Sequence, residues 1–569
     1  MPLLSLLLSL LPVLNAAYAP LRVSVYATAD GVNKYLSTPA DRAKTAEVLH
    51  RFHVSRVFVE GRRGDDYVQP ELLREIRDDL LAHGFEVTGA IATVPGKTFG
   101  VRQNGDLGWM NFQAKKTQED IAGFFRENAG IFGEIVIDDF FCTGDTSPES
   151  ETARDGRSWA AYRQDLMVSL LGPMVLEPAR DVSRTFSLII KYPQWYDRFH
   201  LFGYNPQRMS VRADRVWVGT EVRNPETRRM GFVEPSEGYV NYRWIADSAA
   251  QKAEGAWFDH IECTAQNFVD QAWQSVLAGA KELTLFSLND VMTGHPGHEL
   301  FLRDFDALSS VSAENKGRQP LGIGFYKPVG SDSEQNMYLM DYAVMIGLPV
   351  VPTVAYPGGT KVAVLGVQAA EDPDIFREIR NHMKGGGTIV VTPAFLRKAD
   401  LKLRRLIGVY ASDEAVPELA TSALVGGKQV PLTTPLEIDG GLFVKQAAVR
   451  MEVSGGGKTY PLLTSKVIGR GRLMVWNVRT FSEKDFRESG EHLLAPKRLG
   501  LPDLPQPVAD ELRNNLLGPI KISFEAPTRV GLYLIGGHRY LYNFRNEALD
   551  VKVDGRTTHL DANAFRRIE

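Results

Sequence analysis

Acidic residues gather where three apolar, β-branched runs end. EIVIDDFFCTGD places Asp138 and Asp139 in succession, RVWVGTEVRNP places Glu221 two residues beyond Gly219, and WFDHIECT carries Asp259, His260 and Glu262. A protonated carboxyl can give its proton to a departing oxygen, and an ionised one can attack carbon or activate water, so a facing pair serves one bond from both sides. Asp139 (or Asp138) as nucleophile or base with Glu221 as general acid makes such a pair. Because side chains alternate along a strand, only one of Asp138 and Asp139 is expected to point at the site.

The residues around these acids suit a sugar. IIKYPQWYDRF supplies Lys191 for a hydroxyl or carboxylate, with Tyr192, Trp195 and Tyr196 as flat apolar faces. Asp30, Glu60, Glu262 and Asn289 follow other apolar runs and are candidates to shape subsites. Arg62 and Arg63 beside Glu60 hint at an anionic sugar such as a uronate. Plainer roles compete: a strand-end Asp can cap a helix, Glu221 can pair with Arg223 or Arg243, and Trp or Tyr can simply pack. No metal or other cofactor is expected. His295 and His298 of GHPGH lie in a Gly/Pro loop without HExxH, no G-x-S-x-G elbow occurs, and Cys263 carries no nucleophile signature.

Catalytic side chains of this kind need a rigid frame, and the chain from residue 20 to 310 has the pattern of one. Candidate strands at 22–27, 56–61, 86–94, 134–141, 185–192, 215–222, 255–263 and 282–290 alternate with helical segments such as PELLREIRDDLLAHG and TQEDIAGFFRENAG. Eight such units predict an α/β fold, a (β/α)8 TIM barrel, with functional groups at the C-terminal ends of its strands. A polar stretch, SSVSAENKGRQPLG, reads as a linker. Residues 318–490 then suggest a flavodoxin-like α/β domain, with Gly385–Gly387 turning a helix into the strand TIVV. The strict alternation of residues 510–569 predicts a small C-terminal antiparallel β-sandwich.

Length and composition fit this plan. The chain has 569 residues, 44% hydrophobic and 24% charged, ample for several cores. With 65 Lys+Arg against 69 Asp+Glu it has no bulk attraction for nucleic acid. Residues 1–19, MPLLSLLLSLLPVLNAAYA, read as a signal peptide, which predicts a secreted or periplasmic protein without membrane attachment after cleavage. Cys142 and Cys263 are too few for a disulfide scaffold and are expected as free thiols.

The order of modules resembles the family 42 β-galactosidases: barrel, flavodoxin-like domain supporting trimerisation, small β domain. That resemblance implies a glycoside hydrolase and allows a homo-oligomer. The family places its acid/base Glu after an Asn at the end of the fourth strand and its nucleophilic Glu at the end of the seventh, whereas here the fourth ends in Asp138-Asp139. The strand positions of the acids look instead like the α-galactosidase-type barrels, with an Asp nucleophile on the fourth strand and the acid/base on the sixth, where Glu221 lies. The resulting expectation is an exported glycoside hydrolase acting on an oligo- or polysaccharide. A polysaccharide lyase with a Tyr or Lys base, and a non-catalytic carbohydrate-binding protein, are the alternatives.

Overall fold

The computed structural model describes residues 21–227 and 231–568, so the signal-peptide expectation lies outside the described residues. Eight parallel strands, with the two-residue Asp66–Tyr67 added antiparallel to the end of the second, form the first sheet: β1 (Arg22–Ala27), β2 (Val54–Arg63), β3 (Glu86–Ala92), β4 (Glu134–Ile137), β5 (Ser187–Tyr192), β6 (Arg215–Gly219), β7 (Ala253–Asp259) and β8 (Glu282–Phe286). Pairing of β1 with both β8 and β2 closes them into a barrel. Each strand overlaps one of the predicted runs, five of which overrun its C-terminal end into the loop that follows. The continuous apolar stretches follow from strands buried on both faces, by the barrel interior and by the surrounding helices.

The barrel interior is built in layers, because every second residue of a strand faces the axis. Its middle layer takes one residue from each strand: Tyr26, Phe58, Ala90, Val136, Ile189, Trp217, Trp257 and Phe286. Trp217 lies so close to β7 that a Cβ on Gly255 would sit 2.0 Å from its Nε1, which only glycine avoids. Two residues earlier on the strands the layer is charged. Arg56 contacts Glu86 and Glu134 at 3.1 Å and Glu282 at 3.3 Å, and Arg215 pairs with Glu134. Two residues later the strands carry Glu60, Asp138, Lys191 and Asp259, at the opposite, C-terminal end.

The expected linker is not one. The helix Pro296–Glu314 runs through SSVSAE because Leu308 and Val311 continue the buried stripe begun by Phe301. Beyond it lies a second sheet. Its strands β9 (Ile323–Tyr326), β10 (Val350–Thr353), β11 (Val362–Leu365), β12 (Thr388–Val391) and β17 (Gly471–Trp476) are parallel, in the order β10-β9-β11-β12-β17. That is the flavodoxin order, and the helix Ile375–Lys384 turns into β12 through Gly385–Gly387 as expected. Between β12 and β17 the sequence pattern did not reveal four long antiparallel strands, β13 (Pro417–Val425), β14 (Lys428–Asp439), β15 (Ala448–Gly455) and β16 (Lys458–Ile468), which extend the same sheet. Two hairpins there turn on Gly426-Gly427 and Gly456-Gly457, all four at positive φ, the primed turn that paired glycines favour.

The C-terminal segment forms two small antiparallel sheets, one of which includes Pro320–Leu321. Cys142 and Cys263 are both free thiols.

Candidate active site

The charged layer at the C-terminal end of the barrel is a chain of ion pairs. Glu60 accepts hydrogen bonds from Tyr26 Oη at 2.5 Å and from the Ala29 backbone at 2.7 Å. A bulge between Glu60 and Arg62 resets the alternation of β2, so Arg63 also turns inward, contacting Glu60 at 2.8 Å and Asp138 at 2.5 Å. Lys191 Nζ lies 2.6 Å from Asp139 Oδ2 and 2.6 Å from Glu221 Oε1. Arg223 pairs with Asp259, not with Glu221. Gln194 joins the two halves, its amide nitrogen donating to Glu221 Oε2 at 2.9 Å and its oxygen accepting from Arg223 Nη1 at 3.0 Å.

The alternation argument for Asp138 and Asp139 does not apply here. Strand β4 ends at Ile137 and the chain reverses through Phe140 at φ 73°, so Asp138 points inward by parity while Asp139 enters the site from the turn. Both carboxyls therefore reach the mouth, one on Arg63 and one on Lys191. Burial, reinforced by Glu221 and Asp138 and opposed by Lys191, pushes the Asp139 carboxyl up to about 8. Burial also raises Glu221, against the pull of Lys191 and Arg223. Asp139 is the more open of the two, its side chain 17% exposed against 5% for Glu221, and its Oδ1 has no partner.

Several expected subsite residues have other places. The Lys191 side chain is 0% exposed with its ammonium between two carboxylates, so it lies behind the acids instead of offering itself to a sugar. Tyr192, one position out of phase, faces the helices, packed on Phe199 and Tyr204 with its hydroxyl 3.1 Å from Ser210 Oγ. Glu60 is the fully buried base of the network. Trp195 is at the mouth, packed edge-on to Trp109 at 5.2 Å, and Trp109 in turn contacts Phe140. Asp30 and Asn289 meet at the rim, 3.1 Å apart. Glu262, at φ 55°, lies on the half-buried loop after β7, its carbonyl 3.3 Å from the Asn224 backbone nitrogen.

The residues not expected in these roles are Gln194, Arg63, Arg223 and the pair His260 and Asp290, whose Nδ1 and Oδ2 are 2.8 Å apart. Asp259 was legible by parity, two residues beyond the inward Trp257. A loop residue such as Gln194 carries no periodic signal.

Comparison with known proteins points the same way. Residues 12–307 match a family described as "Probable glycosyl hydrolase, catalytic domain". An uncharacterised protein of Saccharolobus solfataricus is 23% identical over 278 residues, which is 44% of this chain and 46% of that relative, so the match spans less than half of the relative's length. Among solved structures, the family 42 β-galactosidase Gan42B superposes with a TM-score of 0.65 at 11% identity, covering 96% of this chain and 98% of that one. A β-galactosidase from Rahnella sp. R3 gives 0.63 at 11% identity (97% and 99%), and an α-L-fucosidase from Paenibacillus thiaminolyticus gives 0.61 at 11% (94% and 92%). At such identities these neighbours establish the shared fold. The family match covers more than half of the chain, and this protein belongs to that glycosyl hydrolase family.

Proposed function

We propose that the enzyme is exported and cleaves glycosidic bonds of an oligo- or polysaccharide with retention of anomeric configuration, Asp139 acting as acid/base and Glu221 as nucleophile. One observation carries this reading: a single buried ammonium holds both carboxyls. Each has an oxygen 2.6 Å from Lys191 Nζ, so those oxygens are separated by at most twice that distance. Retaining enzymes hold their carboxyl groups about 5–5.5 Å apart, and inverting ones about 6.5–9.5 Å to admit a water.

The roles are the reverse of the sequence expectation, for an electrostatic reason. An acid must carry its proton at the working pH, and Asp139, raised to about 8, carries one at neutrality. Glu221 has Lys191, the Gln194 amide and the field of Arg223 to favour its ionised form. In the first step Asp139 protonates the glycosidic oxygen, the C–O bond breaks and Glu221 bonds to the anomeric carbon. In the second Asp139 takes a proton from water, which attacks that carbon and releases Glu221. Lys191, kept as an ammonium by the acidic groups around it, is unsuited to be the base of a lyase. The leucine-rich first nineteen residues support export.

The test is product release from a panel of oligosaccharides and polysaccharides by wild type, Asp138→Asn, Asp139→Asn and Glu221→Gln. Retention in the first-formed product and loss of turnover in the last two variants are expected. An inverted product, or full activity in Glu221→Gln, would overturn the assignment.

A further inference from the structure

The loop that follows β5 faces two ways. Gln194 bonds Glu221 and Arg223, and Trp195 packs on Trp109 at the mouth. The next three residues all turn to the polypeptide beyond the barrel. Tyr196 Oη donates to Asp341 Oδ1 at 3.3 Å, and its ring meets Tyr338 edge-on at 5.6 Å. Asp197 accepts from Ser333 Oγ at 2.7 Å and from the Tyr338 backbone nitrogen at 2.6 Å, with Lys327 Nζ at 3.3 Å. Arg198 pairs with Glu483, donates to the His492 carbonyl at 3.1 Å and lies over the Phe486 ring at 4.0 Å. Tyr338, which receives Asp197, holds φ 59°, a conformation unfavourable to a bulky side chain.

We propose that the segments 333–341 and 483–492 are a working part of the active site, fixing the loop 193–198 so that Gln194 meets Glu221, with Asp197 and Arg198 as positioning residues. The inference rests on the reading of Glu221 given above. Its physical basis is continuity. Two residues separate Gln194 from Asp197, too short a stretch for the amide to stay in register if Asp197 is released. Asp197 and its partners Ser333 and Lys327 are buried, and Arg198 is buried against a Glu483 whose side chain is 29% exposed. Charge-assisted contacts shielded from water, as at Asp197, are stronger than their exposed counterparts. Removing them leaves the barrel intact and loosens only what the loop delivers, an amide on the nucleophile and an indole at the mouth.

The test uses the full chain and alters only the far partners, Ser333→Ala and Glu483→Gln, with Tyr540→Phe as a control that cuts a distant contact to Glu314 and Asn315. Misplacement of a catalytic group by about 1 Å costs up to about 100-fold in rate. We expect kcat to fall about 10-fold or more in the two loop-partner variants. The acidic limb of the pH–rate profile should shift to higher pH as Glu221 loses its amide donor, while the control keeps wild-type kcat and profile. A lower melting temperature with unchanged kcat and profile in both variants would mean that these contacts serve stability alone, and would overturn the proposal. Should Glu483→Gln fail to fold, the milder Ser333→Ala decides. Wild-type activity in Glu221→Gln would refute the nucleophile assignment by itself, whereas the positioning role is judged by kcat in the partner variants.

Discussion

Replacing Lys191 with methionine removes one charge from a site that contains it twice over. The side chains are nearly isosteric, so packing survives and the loss is electrostatic. With charge centres about 4 Å apart and an effective dielectric near 20, an ionised carboxylate contributes about 4 kcal/mol of attraction to the ammonium, Glu221 at neutrality and Asp139 as well once the pH passes about 8. Desolvation offsets much of this, and breaking a buried pair by removing one partner costs about 3–5 kcal/mol. The cost depends on pH. Without Lys191 the folded-state values of Asp139 and Glu221 rise further above their unfolded values of about 3.9 and 4.3. Groups raised in this way keep their full contribution below the unfolded values, and stability is lost as the pH climbs through the folded ones. The variant should therefore unfold close to wild type at pH 4 and well below it at pH 8, as read by chemical denaturation across that range. Turnover follows the same sign: a nucleophile that binds its proton more tightly moves the acidic limb of kcat/KM to higher pH. Equal unfolding midpoints at pH 8, or a pH–rate profile identical to wild type, would refute the bridge as the element that ties the two carboxyls together.

Other consequences can be checked alongside it. Glu237 is fully buried with neither carboxyl oxygen bonded, and burial beside Asp341 and Asp197 holds its carboxyl well above the usual range; Glu237→Gln should stabilise the protein increasingly above about pH 4.5, seen as a melting temperature that falls less with rising pH than in wild type. Arg56→Met takes one guanidinium from Glu134, which keeps Arg215, and from Glu282, which keeps Arg22 at 3.4 Å, so in denaturant unfolding it should cost less than the about 3–5 kcal/mol of a fully broken buried pair. His260 is raised by its bond to Asp290, so Asp290→Asn should lower its titration midpoint, followed by NMR of labelled histidine. Arg63 and Arg223 are both committed to carboxylates, so uronides should be cleaved no better than the matching neutral glycosides in a paired substrate assay.

The barrel was legible because its strands are buried on both sides and therefore read as unbroken apolar runs between amphipathic helices. Its acids were legible because they stand where those runs stop. What alternation could not supply was the behaviour of the chain once it leaves the strand. Asp139 enters from a turn, Arg63 is carried inward by a bulge, and Gln194 sits on an irregular loop, so their convergence is a property of tertiary structure. Lys191 and Tyr192 show the converse. Their residue types suit sugar contact, yet parity buries one behind the acids and turns the other outward. The strands β13–β16 had a signal in their paired glycines, but polar residues on one face and no helix between them made them look like loops.

The aromatic layer of the barrel has a further meaning. Trp257 carries the Lys191 ammonium over one side at 4.9 Å, while the Arg56 guanidinium lies against Trp217 and Phe58 at 5.6 and 5.7 Å from the other end of the axis. The rings thus form a dry apolar septum with a cation on each side. The charges that shift Asp139, Glu221 and Lys191 most all stand on the mouth side of it. Mouth and floor are two charged compartments in one cylinder, each built around its own ion pairs.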